Sequence, residues 1–240
     1  ATLAPRAGAI EAVVDSAVIA GDWERVYQLL DKDADLESDP AAVILKGIMA
    51  QATNRNEESF RLLAEAPLYE DQQAYAEWAT ALVTEHKGHP HALYVFSVSL
   101  HRSRLLSQAL RGFNSAINAD SNFALAYNGR GLVHLDLADT LAARDDFVKA
   151  TSIDSTFANA YYNLSYVFFN RDFGPSALTA LNRAIASDST FSRCYYLRGL
   201  VQGQFSKYGA AAQDLEHAIE LNPSFPEDRY YLGLAYLRNG

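Results

Sequence analysis

The apolar positions in the C-terminal half of the chain recur with two superimposed periods. Over short stretches they return every three or four residues, the spacing that gives a helix one apolar face. Over longer distances the whole arrangement returns every 34 residues. Phe123, Phe157, Phe191 and Phe225 mark the interval, as do Ala109, Ala143, Ala177 and Ala211, and Ala116, Ala150, Ala184 and Ala218. A fixed period of this length marks one helical hairpin copied along the chain. Each copy can bury its apolar face only against its neighbours. The pattern predicts an all-α fold with hairpins at 90–119, 124–153, 158–187 and 192–221.

The repeated columns alternate small and large side chains. Ser97, Gly131, Ser165, Gly199 and Gly233 place a small residue in the middle of each first helix, where a second helix crosses closely. Tyr127, Tyr161 and Tyr195 fill space early in the first helix, and Phe113, Phe147, Leu181 and Leu215 fill it late in the second. Such alternation is how antiparallel helices interdigitate. Asn122, Thr156, Thr190 and Ser224 stand where a side-chain oxygen could cap each first helix. Ser224 with Glu227 has capping-box spacing. Gly174-Pro175 and Lys207-Tyr208-Gly209 read as the short connections within hairpins.

At Ala160-Tyr161-Tyr162-Asn163-Leu164-Ser165, then Ala177, Leu181 and Ala184, and again from Cys194 to Pro223, the chain resembles the tetratricopeptide repeat (TPR) family. The resemblance covers four full blocks over 90–225 and a half block after them. Only Pro223 keeps the family's closing proline; Ser121, Ser155 and Ser189 stand there in the other blocks. It implies a right-handed superhelical solenoid of TPR-like helix hairpins. The same material continues more weakly upstream. Residues 1–68 read as degenerate hairpins, with a turn at Gly21-Asp22-Trp23, an acidic connection from Asp33 to Pro40, and a close at Ala66-Pro67. Residues 69–89 read as an irregular extra helix and connection, because 70–86 is one helix too many for strict pairing. That helix is either an unpaired insert or half of a hairpin over 70–102. Residues 226–240 form a capping helix or the first half of a further hairpin, and the start at Ala1 suggests a processed or excised chain.

Composition narrows the function. The 240 residues are 49% hydrophobic, enough for a continuous core, and no 18-residue apolar run suits a membrane span. A net charge of −9 and a pI near 5.1 leave no basic stripe for nucleic-acid phosphates. The compartment stays open between cytoplasm and, after leader removal, periplasm or export. Cys194, alone, allows no internal disulfide and reads as a packing residue. Glu85-His86-Lys87-Gly88-His89-Pro90-His91 gathers metal-ligating types, but Gly88 and Pro90 make it a solvated connection instead. Asp154-Ser155-Thr156 and Asp188-Ser189-Thr190 are inter-hairpin turns by register, and His134 and His217 are isolated. No catalytic residue, metal or cofactor is expected, and the protein reads as a non-enzyme.

The resemblance places function in the groove lined by first helices. There the chain carries Tyr94, Asn128, Tyr162, Tyr196 and Tyr230, each one repeat apart, flanked by Asn163, Tyr166 and Arg193. Rings and amides suit recognition of a peptide's side chains and backbone. Acids gather on second helices, whereas Arg102, Arg193 and Arg238 fall on the inner face, so a neutral to acidic segment of another protein is the expected partner. Self-association stays open. The expected function is a non-catalytic interaction scaffold; the alternative is a docking or regulatory part of a longer enzyme or secretion or assembly factor. Finally, Arg130 and Arg198 each precede an aspartate by 16 residues, Asp146 and Asp214. Two structural ion pairs, each linking the two helices of its own hairpin, are therefore expected.

Overall fold

The computed structural model describes the backbone of residues 7–32, 40–65 and 70–240. Those residues form fourteen helices and no strand: α1 (Ala7–Ala20), α2 (Trp23–Lys32), α3 (Pro40–Ala52), α4 (Asn56–Glu65), α5 (Glu70–Glu85), α6 (Pro90–Arg102), α7 (Leu106–Ala119), α8 (Ala124–Asp136), α9 (Thr140–Ile153), α10 (Ala158–Phe169), α11 (Gly174–Ser187), α12 (Ser192–Gln204), α13 (Tyr208–Leu221) and α14 (Pro226–Asn239). The helices of the four expected hairpins lie where the period places them. Residues 33–39 of the expected acidic connection, and the expected close at Ala66-Pro67, fall outside the described residues.

The chain divides into two compact units. Unit 1 comprises Ala1–Thr53 and Glu58–Asp139; unit 2 comprises Asn54–Glu57 and Thr140–Gly240. In unit 1, α1 packs on α2, α2 on α3, α3 on α5, α5 on α6, α6 on α7 and α7 on α8. The extra helix α5 thus lies between α3 and α6, burying Tyr75, Ala79 and Leu82. The Tyr75 hydroxyl donates to the Val95 carbonyl at 3.1 Å, so its ring enters the core without stranding a polar group. In unit 2 each helix from α9 to α14 packs on the next.

The alternating columns are the core. Ala109, Ala143, Ala177 and Ala211 are 0, 0, 0 and 1% exposed, and Phe113, Phe147, Leu181 and Leu215 are no more open. Cys194 is buried, and burial pushes its thiol pKa well up, which keeps it an unreactive packing group.

The turns depart from the expected chemistry in two ways. Within hairpins, the reversal falls on Arg104, Ala138, Asp172 and Ser206, again one repeat apart, with φ of 60°, 60°, 58° and 57°. The amide after each one bonds back to the first helix's last turn, as Asp139 does to His134 and Lys207 to Gln202. This left-handed C-terminal closure normally takes glycine, and none of the four is glycine. Gly174 instead opens α11, and Gly209 lies inside α13. Between hairpins, Phe123, Phe157, Phe191 and Phe225 occupy the N-cap positions and give no side-chain cap. The expected caps Asn122, Thr156, Thr190 and Ser224 sit one residue earlier. Their own amides are bound by Asp120, Asp154, Asp188 and Asn222, at 2.9, 2.8, 3.0 and 3.0 Å. A two-residue Asx turn therefore sets each inter-hairpin bend.

Arg198 joins three helices of unit 2. Its Nε and Nη2 donate to the two oxygens of Asp214 on α13, both at 2.7 Å, and its Nη1 donates to Asn182 Oδ1 on α11 at 2.8 Å. The bidentate geometry explains why an aspartate stands at that position. Arg130, in unit 1, makes the corresponding bond to Asn114 Oδ1 at 2.7 Å. Asp146, the other expected partner, belongs to unit 2 and is buried.

Two stability measurements test these devices. Ala138→Gly relieves a left-handed alanine and should raise unfolding free energy by about 0.5–1 kcal/mol in urea titration. Asp214→Ala strands a largely enclosed guanidinium and should cost about 2 kcal/mol. Replacing Arg198 and Asp214 together by Leu and Ala, the pair found at Leu164 and Ala180, should cost less than that single change; an equal or greater loss would remove the ion pair as the explanation.

Candidate functional site

Helices α10, α12 and α14 of unit 2 present the expected aromatic ladder at a graded depth. Tyr162 lies partly buried, its ring centroid 5.1 Å from that of Phe191. Tyr196 meets Tyr231 edge to face at 6.0 Å; burial, then the neighbouring Tyr231, push its hydroxyl pKa up to about 12. Tyr166 and Tyr230 stand out, 45% and 63% exposed. The Arg193 guanidinium lies 4.6 Å from the ring centres of both Tyr196 and Phe225, with Glu227 and Asp228 oxygens at 3.5 and 3.7 Å. Its charge is thus largely answered inside the unit. Asn163 is buried and donates its amide to Asn159 Oδ1 one turn away at 3.1 Å, so it is not the open groove contact that the sequence suggested. Beside these rings a cavity of about 410 Å³ is lined by residues including Phe169, Leu200, Gln204, Tyr231, Leu234 and Arg238.

Unit 1 corrects the rest of the ladder. Tyr94 and Asn128 are each 4% exposed. Trp23 and Phe123 stack face to face at 6.2 Å, and both rings lie against Tyr94, at 6.1 and 5.2 Å. Tyr94 is covered from the turn before α8, at the repeat's own spacing, and from α2, far away in sequence, which no local pattern reveals. Tyr94 and Asn128 still form part of the wall of a second cavity, of about 390 Å³, whose lining includes Ile48, Leu63, Val98 and Leu132. Arg102 also reaches this wall; its buried Nε has no hydrogen-bond partner among the described residues. His101 and Arg104 are held on Asp136 at 2.8 and 2.6 Å. The histidine-rich connection is partly core: His91 packs edge-on against Trp23 and Phe123, each at 4.9 Å. Among the described residues no group of three acidic, histidine or cysteine side chains could hold a metal ion.

The family model described as Tetratricopeptide repeat matches residues 192–225, which are α12, α13 and the turn into α14. Residues 192–225 are thus a tetratricopeptide repeat. Solved TPR structures share the chain's all-α solenoid fold of helices packed on their sequence neighbours. YrrB, described as a TPR protein with an unusual peptide-binding site, superposes with a TM-score of 0.59 at 24% identity, over 68% of this chain and 84% of its own. MamA from Desulfovibrio magneticus RS-1 gives 0.55 at 18%, over 73% and 97%. The Cut9–Hcn1 assembly of the APC/C gives 0.63 at 15%, over 92% of this chain and 48% of that one. At these identities the likeness is one of fold. Among curated proteins none matches. No described helix is long and apolar enough to cross a membrane.

One polar cluster of unit 2 escaped the sequence pattern. Asp228 on α14 is 0% exposed, and neither carboxylate oxygen has a hydrogen-bond partner among the described residues. Burial pushes its pKa up to about 6; Arg193 and Arg229 oppose the rise, while Glu227 and Glu57 add to it. The folded state therefore holds this proton more tightly than the unfolded chain, whose carboxyl keeps its ordinary value of 3.8. Its contribution to stability is complete below that value and is lost as pH rises through about 6. Wild type should gain thermal stability over Asp228→Asn between pH 7 and pH 5. A melting-temperature difference that stays constant across that range would show that Asp228 does not titrate there.

Proposed function

We propose that this TPR protein is a non-catalytic scaffold that binds a segment of another protein on the inner face of its first helices. The single observation that supports this most is a pair of open rings on first helices, Tyr166 on α10 and Tyr230 on α14, the latter 5.2 Å from Tyr231 in the wall of a cavity of about 410 Å³. Large rings cost free energy to leave in water, and a cluster of them beside a concavity is a feature of binding surfaces. Tyrosine is well suited to the task, offering flat apolar area and a hydroxyl with few rotamers to freeze. YrrB, a neighbour in fold, carries a peptide-binding site in its description.

The expected charge preference rests on two cations. Arg238 lines the unit 2 cavity and Arg102 the unit 1 cavity. Arg193, counted at first with them, is answered by Glu227 and Asp228 and contributes less. The preferred segment is therefore neutral to acidic, with charge assisting encounter more than affinity.

Selection from a random peptide display library tests the reading. Wild type should enrich neutral or acidic sequences, and Tyr166→Ala/Tyr230→Ala should bind the selected peptides about tenfold or more weakly. Enrichment of lysine-rich peptides, or unchanged affinity in the variant, would refute it.

A further inference from the structure

The unit 1 cavity holds a cation that the protein leaves unanswered. Arg102 forms part of the wall and is partly buried; it makes no ion pair or hydrogen bond among the described residues, its buried Nε included. Burial pulls its guanidinium pKa down, against a weaker opposing effect of Tyr75. Elsewhere in the chain partly buried arginines are paired: Arg193 lies beside Glu227 and Asp228, and Arg198 grips Asp214. The repeat itself offers Arg102 a partner in Asp136, one period away on the next first helix and in the same wall. That carboxylate is already engaged, its Oδ2 lying 2.8 Å from His101 Nε2 and accepting from Arg104 at 2.6 Å. A charge without a counter-ion in a partly buried wall is costly, and such a group in a native protein calls for an explanation.

The shape of the cavity indicates what could answer the charge. A groove between consecutive first helices has three walls, here α6, α8 and the second helix α7 between them. Ile48 and Gln51 of α3 and Leu63 of α4 add further wall, giving a pocket of about 390 Å³ drawn from five helices. That volume suits a small molecule and offers little length to an extended segment. Val98, Phe113 and Leu132 join Ile48 and Leu63 in the lining, so a ligand must bring an apolar body. Arg104, whose side chain is exposed, belongs to the same wall and marks an opening to solvent. Two arginines against one aspartate make the wall positive in a protein of net charge −9.

We propose that this cavity binds a small organic acid, one carboxylate on an apolar body, with the carboxylate on Arg102 and the body among Val98, Phe113 and Leu132. A planar carboxylate matches the guanidinium fork and supplies the hydrogen bonds that Arg102 lacks. Apolar walls strengthen that pairing, because little water is left to screen it. An uncharged analogue of the same shape leaves the guanidinium unpaired, so the site should reject it. The cavity lies wholly in unit 1 and takes no residue from the tyrosine face of unit 2. Acid binding and peptide selection therefore succeed or fail independently.

Titration of the full chain with phenylbutyrate and octanoate, and with their neutral amides, tests the proposal by ligand-observed NMR. Wild type should bind at least one acid about tenfold or more tightly than its amide. Arg102→Gln should remove that preference while binding the amide as wild type does. Nuclear Overhauser contacts from the bound acid to the Val98 and Leu132 methyl groups should locate it in wild type, which keeps the site testable if the variant does not fold. Equal affinity for acids and amides, or no binding of any of them at millimolar concentration, would overturn the proposal. A preference that survives Arg102→Gln, or contacts only to methyl groups elsewhere, would do the same. So would a short peptide with a free C-terminal phenylalanine that binds more tightly than either acid, since the pocket would then seat a chain end.

Discussion

Everything in this protein depends on how closely two helices of a hairpin can approach. The alanine columns of the second helices are at most 1% exposed. At Gly199 a Cβ would lie 2.9 Å from Leu215 and 3.1 Å from the Ala211 carbonyl, so the contact leaves no room for a methyl group. At Gly233, the same column in α14, a Cβ would meet nothing within 4 Å. The demand for a small side chain thus comes from the second helix, not from the first helix itself. With the close approach fixed, Leu181 and Leu215 can fill the gaps on either side to interior density.

That constraint explains which deviations the repeat tolerates. The reversal inside each hairpin must be short to bring the helices together, and a left-handed residue provides it at Arg104, Ala138, Asp172 and Ser206. Packing on both sides holds that conformation even where the residue is an alanine. Between hairpins the bend falls to Asp120, Asp154, Asp188 and Asn222, whose side chains close an Asx turn. The phenylalanine that follows is then committed to the core at Phe123, Phe157 and Phe191, leaving α10 and α12 without caps of their own. The first amides of those two helices are bound by Asn54 and Glu57 instead.

The candidate surfaces follow from the same geometry. The side chains at Tyr94, Asn128, Tyr162, Tyr196 and Tyr230 hold one register position of the first helices. What happens to them depends on their surroundings. Trp23 and Phe123 cover Tyr94; Phe191 half-covers Tyr162; Tyr230 stands in the open. One sequence column therefore serves as core at one end and as surface at the other. Charge behaves alike: Arg193 is absorbed by Glu227, Asp228 and two rings, whereas Arg102 keeps a buried Nε with no hydrogen-bond partner among the described residues.

The sequence by itself determined the hairpins, their register and their core, because these rest on contacts between residues a fixed distance apart, and a fixed distance is visible as a period. It also carried the Arg198–Asp214 pair, since both partners lie in one hairpin and vary together. The inter-hairpin caps were misread for a local reason: Thr156 and Thr190 look like caps, but the aspartate two residues before each takes its amide and moves the helix start on by one. Only the tertiary structure decided which members of the tyrosine column are covered, because Trp23 lies 71 residues before Tyr94 with no periodic relation to it. The docking of Asn54–Glu57 was equally hidden, with Asn54 and Ala158 separated by 104 residues. Periodicity records what neighbouring repeats require of one another; contacts made once, between distant and unrelated segments, leave no such record and exist only when the chain has folded.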